Sequence, residues 1–234
     1  MGSGDWPSTP WTIIRLARAG AAVRGDRAAL ERLLEIYYEP VERFFRRVLG
    51  LGADEAGDVT HDLFARLLER DFLDGLTHET SFRGFLKVAC RRRCASFRAA
   101  RAAKTRALRA LALVPAAAAA GAPGADGEID AVIDDELRRS YVDEAARRVR
   151  DELQRQEKPD TLAIFEARTR FDGSRPEDYA ALAERFGLRI YDVRNRLTAA
   201  RRIFRRELLR IAAERADDPK EELREIGLLR YVRT

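Results

Sequence analysis

From residue 11 to residue 109 the apolar positions recur every three or four residues, and nowhere does the chain alternate apolar and polar residues as a half-buried strand would. That periodicity predicts an all-helical stretch. Thr9 suits a helix N-cap and Pro10 the first helical position, where proline's missing amide has no intrahelical partner to lose. A second helix opens after Asp26 and gathers Leu30, Leu33, Leu34 and Tyr37 on one face. Pro40 is expected to interrupt or restart it, with Phe44, Phe45 and Val48 continuing the same face. Gly50 and Gly52 break the pattern; Val59, Leu63, Phe64, Leu67 and Leu68 then mark a third helix over 54–70, and a fourth is expected over 82–111. Between these two, 71–81 reads as a loop long enough to present side chains.

The segment 113–128, which contains PAAAAAGAPGADG, has nothing large enough to anchor a core and is rich in residues that break helices. It predicts a flexible linker between two helical domains, the first over 1–112 and the second over 129–215, followed by a helical tail over 216–234. Within the second domain the pattern places an acidic-leaning helix over 129–156, a shorter one near 160–171, a turn at 172–175 and two further helices flanking Gly187. No internal repeat of fixed period is present.

The chain has 234 residues, 46% of them hydrophobic, enough to bury two small cores. Lys and Arg number 44 against 39 Asp and Glu, so the net charge of +5 is modest and its distribution matters more than its total. Residues 80–125 contain no acid but hold Arg83, Lys87, Arg91, Arg92, Arg93, Arg98, Arg101, Lys104, Arg106 and Arg109. A solvated helix face normally mixes signs to gain pairs one turn apart, so a helix of one sign needs a polyanion or an acidic protein surface beside it. Phe82, Phe85 and Phe97 are interleaved with these charges, where they either stack on unpaired bases or fill the core.

A second signal lies in 176–208, PEDYAALAERFGLRIYDVRNRLTAARRIFRREL, which reads as a helix-turn-helix. Small Ala183 lets two helices approach, Gly187 permits the turn, and Val193 and Leu197 pack the second helix on the first. Tyr191, Arg194, Asn195 and Thr198 then face outward, and Asn and Arg are the residue types that read base edges in a major groove. Arg189, Arg196, Arg201 and Arg202 are placed to hold phosphates.

No catalytic constellation is recognisable, so an enzyme is not expected. His61 and His78 are the only histidines, and with Cys90 and Cys94 they form no complete ligand set, so neither metal nor cofactor is expected. Two cysteines four residues apart on a helix suit a packing role in a reducing cytoplasm. Neither the first eleven residues nor the uncharged, Ala-rich stretch 110–125 reads as a targeting or spanning segment, so no membrane partner is expected.

Taken in order, these segments resemble sigma factors of the extracytoplasmic-function type, in the variant common in planctomycetes. The opening PSTPWTIIRLARAGAAVRGDRAALERLLEIYYEPVERFFRR is similar to the family's first helices, and AGDVTHDLFARLLERDFL to the helix laid on the coiled coil of the polymerase β′ subunit. SFRGFLKVACRRRCASFRAARAAK resembles the segment that opens and reads the minus-ten element, 176–208 the region that reads the minus-thirty-five element, and AAERADDPKEELREIGLL the closing helix. The resemblance implies that Asp58, His61, Asp62 and Arg66 meet the polymerase clamp. It likewise implies that Lys87, Arg91, Arg92, Phe97, Arg98 and Arg101 meet minus-ten DNA, and that Arg194, Asn195, Arg196 and Arg201, with Arg189, Tyr191 and Thr198, meet minus-thirty-five DNA. The implied partners are RNA polymerase core, through its β′ clamp and β flap, promoter DNA, and an anti-sigma factor or other regulator. His61 stands where the family usually has Gln, Ala199 where many members carry a basic residue, and the linker lacks the acidic character of many relatives. Two other classes fit the residues: a stand-alone helix-turn-helix regulator that binds duplex DNA, and a helical protein that sequesters an acidic partner.

Overall fold

In the computed structural model, helix α1 spans Asp26–Leu49 and continues through Pro40 instead of stopping there. Proline inside a helix removes one backbone hydrogen bond and costs about 3 kcal/mol. Tyr37, Val41, Phe44 and Phe45 lie on the same face as Pro40, and all are buried. Burying such side chains is worth roughly 1.5–3 kcal/mol each, so the packed face overrides the local break. The structure describes residues 26–68, 82–110, 126–169 and 175–232. The helix start at Thr9 and Pro10, the side chains of Leu30 and Leu33, the loop 71–81, most of the linker and most of the turn at 172–175 lie outside the described residues.

Gly50, at φ 64°, takes the left-handed conformation just past the end of α1. Helix α2, Ala53–Leu68, then buries Ala56, Val59, Leu63 and Leu67 against α1, with Tyr38 stacked on Phe64 at 5.9 Å. Helix α3, Phe82–Ala110, buries Phe82, Leu86, Ala89, Cys90 and Cys94 in the same core. Residues 99–104 of α3 are exposed on every side, so its second half has left the core.

Helix α4, Asp126–Arg155, places Ile129, Ile133 and Leu137 in this first core, and Tyr141, Ala145, Val149 and Leu153 in a second. The apolar residue every fourth position is what one helical stripe requires. The chain divides into two packed units between Leu137 and Arg138. The start of α4 carries its own apolar stripe and packs on the first core.

The second unit adds α5, Pro159–Thr169, α6, Tyr179–Phe186, α7, Ile190–Arg215, and α8, Pro219–Glu225, closed by a 3₁₀ turn, Leu229–Tyr231. Asp218 caps α8 by accepting from the amides of Lys220 and Glu221, with Pro219 at the first helical position. Leu223, Ile226 and Leu228 are buried, the Tyr141 hydroxyl donates to Glu222 at 3.1 Å, and Arg138 donates to the Ile226 carbonyl at 2.9 Å. The C-terminal segment is thus part of the second core and not an appended tail. Every element among the described residues is helical, and none is long and apolar enough to cross a membrane.

Candidate nucleic-acid interface

The helix-turn-helix of the second unit is built around one backbone conformation. Asp178 starts α6 by accepting from the Ala180 amide, and Gly187 ends it at φ 62°, while the Leu188 amide returns to the Ala183 carbonyl at 2.9 Å. A side chain at that φ costs about 1–2 kcal/mol, although the space around Gly187 is open. Gly187→Ala is therefore expected to lower the stability of the second unit by about that amount without a steric clash. Thermal unfolding with an unchanged midpoint would show that the turn tolerates a Cβ.

Helix α7 starts at Ile190, and Val193, Leu197, Ala200, Phe204 and Leu208 pack it onto the core, with Ala183 buried in α6 as the spacing predicted. At about 100° per residue, the direction opposite that buried stripe carries Tyr191, Asn195, Thr198 and Arg202. All four are exposed, Tyr191 at 71%. Thr198 donates its hydroxyl to the Arg194 carbonyl at 2.8 Å, so that hydroxyl is partly engaged by its own helix. Arg194 lies over the Tyr179 ring at 5.4 Å, which orients its guanidinium toward the α6 side of the face. Arg196 points the other way and pairs with Asp160 at 2.9 Å. Arg189 precedes the helix, almost wholly exposed, and pairs with Asp192 at 3.5 Å. Arg201, Arg202 and Arg205 meet no carboxylate among the described residues. The outward face thus carries an amide, a phenol, a hydroxyl and the Arg202 guanidinium on one helix, a donor set that a major groove admits.

In the first unit, the structure divides the basic helix α3 in two. Arg83 and Lys87 pair with Asp134 at 3.3 and 2.6 Å, Arg91 with Asp130 at 3.5 Å, and Arg93 with Asp62 at 2.9 Å. Arg98 donates to the Val48 carbonyl at 3.4 Å. Arg92, Arg101, Lys104 and Arg106 are exposed and meet no carboxylate among the described residues. Phe82 and Phe85 are buried, with Phe82 against Tyr37 at 4.9 Å; they serve the core and not base stacking. Phe97 is half-buried against the same core.

The carboxylate partners of Arg83, Lys87 and Arg91 are residues that the sequence pattern did not single out. Six acids, Asp126, Glu128, Asp130, Asp134, Asp135 and Glu136, follow the acid-free segment at once, and that juxtaposition is the available signal. Asp135 and Glu136 also pair with Arg47 of α1 at 2.8 and 3.3 Å, and Glu136, almost fully buried, pairs with Arg43 at 3.4 Å. These hydrogen bonds with Asp135 and Glu136 hold the Arg47 guanidinium above its ordinary pKa.

On α2, Asp58 and His61 are exposed, whereas Asp62 is tied to Arg66 at 3.2 Å and to Arg93. The four residues expected to meet polymerase share one helix, yet only two are unencumbered by ion pairs. Cys90 and Cys94 are both buried free thiols. Burial pushes both pKa values up, that of Cys94 to about 11, so they stay protonated and unreactive at neutral pH. No group of His, Cys, Asp and Glu among the described residues is arranged to hold a metal ion. Comparison of the chain with protein-family models, with curated proteins and with solved structures finds no match.

Proposed function

We propose that this chain is a sigma factor of the extracytoplasmic-function type, which brings RNA polymerase core to promoters by contacts at the minus-ten and minus-thirty-five elements. The observation that carries the reading is the outward face of α7, where Tyr191, Asn195, Thr198 and Arg202 stand exposed beyond a glycine-turned helix pair. The exposed cations at the end of α3, Arg101, Lys104 and Arg106, which meet no carboxylate among the described residues, lie in the other packed unit and supply a second nucleic-acid surface. Two such surfaces suit a protein whose spacing on DNA is set by a larger enzyme. Buried protonated thiols fit a reducing cytoplasm.

The test is reconstitution with RNA polymerase core. The full chain is expected to co-purify with core and to support transcription from a defined promoter set. Binding a specific duplex equally tightly without core would overturn the reading.

A stand-alone helix-turn-helix regulator is the second reading, and one observation favours it. Lys87 and Arg91 already have carboxylate partners within the chain, so half of the basic helix needs no outside polyanion. Absence of core from the purified complex would select that alternative.

Within the sigma reading, the α2 face is best probed at Asp58 alone. Reversing Asp62 would set a cation against Arg66 and Arg93, and so disturb packing as well as any interface. Asp58→Lys is expected to change stability by no more than about 0.5 kcal/mol, and to weaken core binding several-fold in a pull-down titration. Unchanged affinity would remove this face from the contact.

A further inference from the structure

The arginines of the second unit differ in whether they meet a carboxylate. Arg148, Arg150, Arg185 and Arg196 each hold a carboxylate at 2.7–3.2 Å. Arg168, Arg201, Arg205 and Arg230 meet none among the described residues, and all four line one cavity of about 500 Å³. That volume lies in the range of small-molecule sites.

The walls of this cavity are as unusual as its charge. Phe165 and Phe204, both buried with ring centroids 6.0 Å apart, form part of an apolar lining that Val142 extends. Tyr231 stands half-exposed in the same lining, and the Arg230 guanidinium lies over its ring at 4.9 Å. Arg168 donates through Nη1 to the Glu177 carbonyl at 3.1 Å and lies over the Tyr179 ring at 4.5 Å, while its Nε and the Thr169 hydroxyl, both shut off from solvent, have no hydrogen-bond partner among the described residues. The positive field there is already felt by Tyr179: a hydrogen bond from Arg168, helped by the charge of Arg201, holds its hydroxyl below the ordinary phenol range.

We propose that this cavity binds a small organic phosphate of the nucleoside-phosphate class. Guanidinium groups match phosphate oxygens two at a time, and four of them with no carboxylate partner among the described residues suit more than one negative charge. The apolar and aromatic lining takes the ring of such a ligand, which a bare inorganic anion does not have. The site is formed by α4, α5, α7 and the closing 3₁₀ turn, so it tethers the C-terminal segment to the helix whose other face is proposed to read DNA. Arg168 and Arg230 have no part in the promoter reading, whereas Arg201 is shared with it, so the test rests on the first two.

Calorimetric titration of the full chain with nucleoside mono-, di- and triphosphates tests it, with the free nucleoside and inorganic pyrophosphate as comparisons. One-site saturable binding is expected for a nucleoside phosphate, at least tenfold tighter than for either comparison. Arg230→Ala, at an exposed position, and Arg168→Ala are each expected to weaken it tenfold or more, while Arg150→Ala, outside the cavity, leaves it unchanged. Circular dichroism on each variant separates loss of the site from loss of the fold, and the exposed Arg230 variant keeps the test open if Arg168→Ala unfolds. Absence of saturable binding, or equal binding by wild type and the folded variants, overturns the proposal. So does a result in which the two variants lose duplex DNA affinity while no nucleotide binds, since the arginines would then serve the DNA backbone.

Discussion

Replacing Asp130 and Asp134 together by Asn is expected to strengthen binding of the free protein to single-stranded DNA by roughly tenfold. Asp134 holds Lys87 at 2.6 Å and Asp130 holds Arg91 at 3.5 Å, so both cations must exchange a carboxylate for a phosphate before they can contact DNA. Exposed or half-exposed ion pairs are worth about 0–1 kcal/mol each, so about 0.7 kcal/mol from each of the two gives the 1.4 kcal/mol that a tenfold change requires. Arg83 is buried and stays in place. Two freed cations should also steepen the log–log salt dependence by about 1.4, since each phosphate neutralised on a single strand contributes about 0.7. Asn preserves shape and one hydrogen-bonding oxygen at each site, but Asp134 also pairs with buried Arg83 at 3.3 Å, so stability should fall and circular dichroism must show that the doubly substituted chain is folded. An affinity that stays flat, or a slope that does not change, would show that these acids do not compete with nucleic acid for α3.

What the sequence made legible is what depends on neighbours within a turn or two. The turn at Gly187, the packing of Val193 and Leu197, and the exposure of Tyr191, Arg194, Asn195 and Thr198 all follow from helical spacing, and the structure places them as that spacing requires. Pro40 escaped because its local cost is outweighed by a buried face that includes Phe44 and Phe45. The partners of Lys87 and Arg91 lie some forty residues onward, across the linker, where charge runs report composition but not pairing. For the same reason Arg168, Arg201, Arg205 and Arg230 look unrelated along the chain, and only the packing of α5, α7 and the final turn gathers them around one cavity. Electrostatic partnership is decided by tertiary contacts, and periodicity carries no record of it.

Asn195 and Arg202 offer the sharpest separation between reading a base and holding a backbone. They are seven residues apart and so project within about 20° of one another on α7, and both are exposed. Asn195 lies in the second turn of the helix, and Arg202 two turns further along, where a recognition helix leaves the groove. Asn195→Ala should cost roughly 1–3 kcal/mol at one promoter position and relax the preference there, because an amide pairs with a base edge at two points. Arg202→Ala should weaken all promoters alike and reduce the salt dependence by about one ion. Neither change should disturb folding, since both side chains leave the core untouched and such positions shift stability by about 0.5 kcal/mol or less. Transcription from a promoter library, paired with binding across a salt series, distinguishes the two. An unaltered sequence preference in Asn195→Ala, or an altered one in Arg202→Ala, would place base recognition elsewhere on the outward face, with Tyr191 and Arg194 as the next residues to replace.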